Sequence, residues 1–375
     1  MLSKYPVSVK ITLYLLLIIL FFHAIISARE FLYPIVLGLL LGYLLYPVAC
    51  FIEKHGIPRI PASIISILIL LSVAGAIVFF IYKQAGNLLN DFPLYKQRAL
   101  GNIDRLEQII ENEFGIYNLR LTEFLRTRTR YLFESGSDFL NNFFTTTTGT
   151  VFRLGLLPVY IFLFLYYRTK LAYFILKMVK PGKKLVAIKV LKEFSTVVSR
   201  YMGGISTVVL MLCFINTGAM ILIGIDYPVI FGITSALCAF IPYFGTLIGG
   251  SIPFIFATLT GNSPTLAFKV VLAYLIIHSL ENNILTPNIV GSSLRINPMV
   301  IIIGIIAAGM VWGIPGMFAI VPLLAMFNIV SENVDTLHPY AFLFGVTGTR
   351  RHALTVDNVK KFINKLKTRR QKESK

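Results

Sequence analysis

FLYPIVLGLLLGYLLYPVACFI, residues 31–52, holds 22 consecutive positions without Asp, Glu, Lys or Arg. A helix needs about 20 apolar residues to cross the hydrocarbon of a bilayer, and this run supplies them. The same pattern recurs at 11–28, 60–82 and 202–225, and in longer form at 227–268 and 296–331. Backbone groups in lipid must bond within their own segment, so these runs read as helices. A β-barrel would show segments of about 10 residues with alternating polarity, and no such alternation is present. The fold class read from this is all-α, a polytopic membrane protein with about eight crossings, or fewer if some are re-entrant hairpins.

Composition closes off the other classes. Of 375 residues, 56% are hydrophobic and 14% charged, against about 25% charged in ordinary soluble proteins. The 30 Phe and 18 Tyr exclude a disordered chain, and three cysteines exclude a disulfide scaffold. Cys50, Cys213 and Cys238 stand far apart in apolar runs and read as packing residues. The first apolar run is longer than the roughly 7–15 residues of a signal-peptide core, and a second run follows at once, so it reads as an uncleaved helix.

The net charge of +18 is unevenly spread. Residues 168–202 carry nine basic residues and one acid, 331–375 carry ten and four, and 83–150 carry eight of each. Basic residues flanking membrane helices mark the cytoplasmic side. The pattern therefore reads as topology rather than nucleic-acid binding, with both termini in the cytoplasm of a multi-pass inner-membrane protein. The expected division is membrane helices one to three in 1–82, an amphipathic extracytoplasmic helical segment at 83–150, helix four at 151–167, a basic cytoplasmic loop at 168–202, a membrane core with broken helices at 203–330 and a basic tail at 331–375. Leu100, Ile103, Leu106 and Ile110 give the outer segment helical periodicity. Helices packed on each other and a cap over a pathway are both open for it. Expected partners are the bilayer, anionic headgroups at 168–202 and at the tail, a small polar solute or cation, and, as an open option, further copies of the chain.

Candidate site residues lie in the last apolar third, where 201–331 holds only Asp226, Lys269, Glu281 and Arg295 as charged residues. Ionisable groups inside a membrane are costly and face the protein interior or a cavity. His278, Glu281 and Asn282 stand at i, i+3 and i+4, which places them on one helix face, with Asn283 adjacent. This cluster could handle a substrate or proton, or form a structural hydrogen-bonded group. Asn216 reads as glue between helices. Pro242, Tyr243, Gly245, Pro287, Gly291 and Asn297 join the candidate pathway, because broken helices expose backbone dipoles that bind ions and polar groups. Gly249, Gly250, Pro253, Gly313, Pro315 and Gly316 are expected to break or kink their helices. Whether 229–257 and 297–329 span the bilayer or turn back is left open by the charge rule.

Enzyme signatures are lacking. His278-Ser-Leu-Glu281 is followed by Asn282, so the second His of a zinc-protease motif is missing. No Gly-Lys-Ser/Thr phosphate loop occurs, so no ATPase is expected in this chain. Neither a cofactor nor a metal is expected.

Gly56-Ile57-Pro58-Arg59, Ile241-Pro242-Tyr243-Phe244-Gly245, Glu281-Asn282-Asn283, Asn297-Pro298 and Trp312-Gly313-Ile314-Pro315-Gly316-Met317 occur in this order along most of the chain. In this the sequence resembles the autoinducer-2 exporter (PerM-like permease) family. The resemblance implies a membrane transporter. It also implies cargo such as the signalling molecule autoinducer-2 or, in some members, sodium exchanged for protons. Three functions follow as alternatives: export of a small polar molecule, cation/proton antiport through Glu281, and a non-transporting membrane scaffold.

Overall fold

The computed structural model describes residues 6–114, 122–138, 155–261, 264–291 and 296–346. Its helices are α1 (Val7–Ser27), α2 (Arg29–Lys54), α3 (Arg59–Phe114), α4 (122–138), α5 (Leu157–Met178), α6 (Lys184–Ile223), α7 (Pro228–Cys238), α8 (Gly245–Thr260), α9 (Pro264–Leu280), α10 (Thr286–Ile289), α11 (Pro298–Trp312), α12 (Ile314–Asn333) and α13 (His338–Phe344). Among the described residues there is no strand, only an isolated bridge between Ile296 and Gly345. Among the described residues six helices are long and apolar enough to cross a membrane: α2, α3, α5, α6, the α9–α10 stretch and α12.

Length bears on the open stretches. At about 1.5 Å per residue, the 11 residues of α7 reach ~16 Å and the 15 of α11 reach ~22 Å. Both fall short of a hydrocarbon core about 30 Å thick. Each helix instead turns back against its successor. A Cβ on Gly245 of α8 would lie 2.1 Å from the Cys238 carbonyl oxygen of α7, so only glycine permits that approach. The chain reverses over 239–244, with Tyr243 at φ +66°. The second reversal is sharper. Gly313, at φ +65° and ψ −145°, joins α11 to α12 in a conformation that side-chain-bearing residues avoid.

The two hairpins enter from opposite ends of the bundle. The base of α7–α8 is held by α3, where Arg98 lies 3.9 Å from Asp226 and the Asn102 amide donates to the Leu259 and Gly261 carbonyls at 2.9 and 3.0 Å. Tyr227 also donates its hydroxyl to the Asp91 carboxylate. The base of α11–α12 lies at the other end of α6, where Lys183 meets Asp335 at 3.3 Å and Asn333 donates to Glu193 at 3.4 Å. The hairpins meet near their tips, with the Phe240 and Phe318 rings edge to face at 5.3 Å. Around them the central core gathers Leu40 of α2, Val208 and Leu212 of α6, Ala236 of α7, Ile305 of α11 and Val321 of α12.

Several sequence expectations change. Gly249, Gly250 and Pro253 lie inside α8 and do not break it. Pro253 has no N–H to give the carbonyl of Gly249, four residues earlier. The Ser235 hydroxyl donates to that carbonyl instead, at 2.5 Å, and the Tyr274 hydroxyl donates to Ser235 at 2.7 Å. Neighbouring side chains that satisfy freed backbone groups keep such a helix intact in a membrane. Pro315 and Gly316 stand in the first turn of α12, where a missing N–H costs nothing, so of that trio only Gly313 makes the break. The stretch 168–202 is mostly helix, interrupted only at 179–183, and the boundary at 82/83 falls within the continuous α3. For the outer segment, α4 packs along α3, through Arg126 and Asp104 at 2.8 Å and the Phe92 and Phe133 rings at 5.3 Å. Arg295 and the tail beyond 346 lie outside the described residues.

Candidate functional site

At Glu281 the regular helix gives way. α9 ends at Leu280, a five-residue π turn covers Glu281–Leu285, and α10 resumes at Thr286. Pro287 cannot donate to the carbonyl of Asn283, and the widened turn stands directly before it. Such π-bulges occur frequently at functional sites. Glu281 itself is 8% exposed, and its Oε2 is buried without a hydrogen-bond partner. A buried acceptor left open costs about 1–3 kcal/mol, so the position is held against its own cost.

The cluster expected around it divides. Glu281 shares its face with Ile277, which belongs to the central core. His278 and Asn282 are exposed and bond to each other, at 3.0 Å from the amide nitrogen to Nε2. Asn283 is exposed too and donates back to the Ser279 carbonyl at 2.9 Å. Helix geometry explains the split, because successive residues advance by about 100°. His278 and Asn282 are one tight pair, and the edge of the buried face runs between them and Glu281.

The remaining candidates take separate places. Pro242 and Tyr243 form the tip of the first hairpin, with Tyr243 55% exposed, and Gly245 opens α8. Asn297 caps α11, its Oδ1 accepting from the Met299 N–H at 3.0 Å. Gly291, at φ +65°, ends the run after α10 and borders a cavity.

That cavity, of about 640 Å³, was not anticipated from the sequence. It opens where α6, 288–291 and α12 diverge, near the α11–α12 base, and Glu193, Arg200, Asn288, Asn328 and Glu332 contribute its polar wall. Val290 of its wall packs closely on Gly204 of α6, where a Cβ would lie 2.9 Å from the Val290 Cα. Asn328 is 4% exposed and its Oδ1 has no partner. Neighbouring Ser331 is fully buried and its Oγ is likewise open, as is the Oδ1 of Asn216 in α6. The signal available beforehand was Asn328, Ser331 and Glu332 at i, i+3 and i+4 near the end of an apolar run. Among the described residues, no three His, Cys, Asp or Glu side chains converge as a metal site would require.

Known proteins share this chain's sequence along most of its length. The family model described as AI-2E family transporter matches residues 13–335. YueF, a candidate transport protein of Bacillus subtilis, is 24% identical over 81% of this chain and 84% of its own length. YrrI of the same organism, also a candidate transport protein, is 26% identical over 79% and 84%. The AI-2 transport protein TqsA of Escherichia coli is 22% identical over 87% and 92%.

Proposed function

Since the chain belongs to the AI-2E transporter family, we propose that it exports a small polar solute across the inner membrane without hydrolysing ATP. The observation that carries this reading is the buried Oε2 of Glu281, without a hydrogen-bond partner, on a π turn one helical turn after Ile277 of the central core. Broken helices at such depth offer open backbone and side-chain acceptors to a passing solute. The name of TqsA makes autoinducer-2 the first cargo to test. A second reading is cation/proton antiport, favoured by the same carboxylate, which can carry a proton or hold a cation.

Transport into proteoliposomes separates the two. Labelled autoinducer-2 and sodium are compared under an imposed pH gradient, for the unaltered chain and for Glu281→Gln. Export predicts uptake of the organic solute that survives removal of the titrating group. Antiport predicts sodium movement that depends on the pH gradient and vanishes in Glu281→Gln. If neither solute moves, the transport reading falls.

The proposed orientation puts the termini and the 179–183 turn in the cytoplasm and α4 outside. In a background lacking Cys50, Cys213 and Cys238, an impermeant thiol reagent applied to cells should label a cysteine at Tyr131 and spare one at Leu185. Both positions are exposed, at 62% and 82%. The reverse pattern would invert the topology.

A further inference from the structure

We infer that the cavity between α6 and α12 is a binding site for a small zwitterion, an amine at one end and a carboxylate at the other. The inference rests on the transport reading only for what the site is used for; the binding itself is independent of it. Glu193, Glu332 and Arg200 line one cavity, yet the guanidinium pairs with neither carboxylate. Among the described residues Arg200 has no ion pair or hydrogen bond at all. Its five N–H donors are therefore free for a planar anion, which a carboxylate fills in a two-pronged contact.

The acidic wall is equally under-used. Glu332 accepts one bond, from the Asn328 amide at 2.9 Å. Glu193 has Asn333 at 3.4 Å and Lys189 at 3.8 Å, both long. A carboxylate offers about four lone-pair sites, so both retain capacity for an ammonium. Beside them the Oδ1 of Asn328, 96% buried by the 4% exposure of its residue, has no donor. An ammonium has three N–H groups and supplies one.

Charge balance selects among ligands. A simple anion drawn to Arg200 would face two carboxylates, and a simple cation drawn to the carboxylates would leave Arg200 unmatched. A molecule with both charges meets each wall with its opposite. Glu193 and Arg200 are seven residues apart on α6, about 10 Å along the axis, so the two ends of the ligand are separated by more than a single carbon. The volume of about 640 Å³ falls within the roughly 300–1,000 Å³ typical of small-molecule sites.

A ladder of ω-amino acids tests this as a molecular ruler. Glycine, 4-aminobutyrate and 6-aminohexanoate are titrated calorimetrically into the detergent-purified full chain, with butylamine and butyrate as single-charge controls. The expected result is that 4-aminobutyrate or 6-aminohexanoate binds at least tenfold more tightly than glycine and than either control. Arg200→Gln and Glu332→Gln should each weaken that binding at least tenfold. No binding by any member of the ladder overturns the inference, as does butyrate or butylamine binding as tightly as 4-aminobutyrate. Should a variant fail to fold, the comparison of 4-aminobutyrate with its single-charge controls on the unaltered chain decides alone. A chain that binds the ladder but moves no solute in proteoliposomes keeps the site and loses the transport reading. One that moves another solute and binds no ω-amino acid does the reverse.

Discussion

The two hairpins have the same outline and opposite interiors. In α7–α8 the polar groups close on one another: Tyr274 donates to Ser235, and Ser235 donates to the carbonyl that Pro253 leaves open. In α12 two acceptors stay open, since Asn328 Oδ1 and Ser331 Oγ are buried without partners and the helix borders the cavity of about 640 Å³. A satisfied buried network rigidifies, whereas an open one carries a standing cost. The difference teaches that the first hairpin satisfies its buried polar groups internally, whereas the second leaves acceptors open beside the cavity.

The strongest way to break this comparison is to force the first hairpin apart. In Gly245→Val the new Cβ would meet the Cys238 carbonyl oxygen at 2.1 Å, and both partners are backbone that cannot yield cheaply. A loss of about 3 kcal/mol is expected, read as a fall in the thermal unfolding midpoint of the purified protein or as failure to accumulate in membranes. Unfolding at the unaltered temperature would show that the hairpin is not rigid.

Tyr274→Phe removes one donor from the closed network while keeping the ring that covers Gly250. The expected destabilisation is about 1 kcal/mol. Asn328→Leu sharpens the contrast from the other side. The substitution loses the amide bond to Glu332 at 2.9 Å but also removes the stranded Oδ1, so the two partly offset and a loss below about 1 kcal/mol is expected. Binding of 4-aminobutyrate should nonetheless weaken. If Asn328→Leu destabilises more than Tyr274→Phe, the contrast between the hairpins is wrong. The smallest effect is expected at the base of the second hairpin: Lys183→Ala breaks an ion pair whose side chains are 63% and 91% exposed, and about 0.5 kcal/mol or less should be lost. A larger loss would mean that the connection between the α5–α6 turn and α12 holds the hairpin in place.

How far the site was readable can be followed residue by residue. Glu281 was legible because a carboxylate within an apolar run has few innocent explanations. The grouping of His278 and Asn282 with it was not, because spacing gives the angle between side chains but not where the wall of the core falls. The breaks at Pro242 and Gly313 were legible from residue types that cannot continue a helix easily. Gly249, Gly250 and Pro253 were misleading for a physical reason: the same small or donor-less residues that permit a bend also permit close packing, and Ser235, 18 residues before Pro253, decides which. Arg200 gave no local signal, and the spacing of Asn328, Ser331 and Glu332 did not point to it, since their sharing a cavity depends on α6 and α12 lying side by side.

The chain alone determined that this is a helical membrane protein and which runs are apolar enough for lipid. Those follow from composition and one-dimensional spacing, because the bilayer acts on each segment separately. Tertiary structure decided that α7 and α8, and α11 and α12, fold back on one another, that Pro253 is bridged by a side chain, and that Glu193, Arg200, Asn328 and Glu332 share a cavity. Each of these depends on which surfaces meet, and the spacing of residues along one segment carries no record of the segment it packs against.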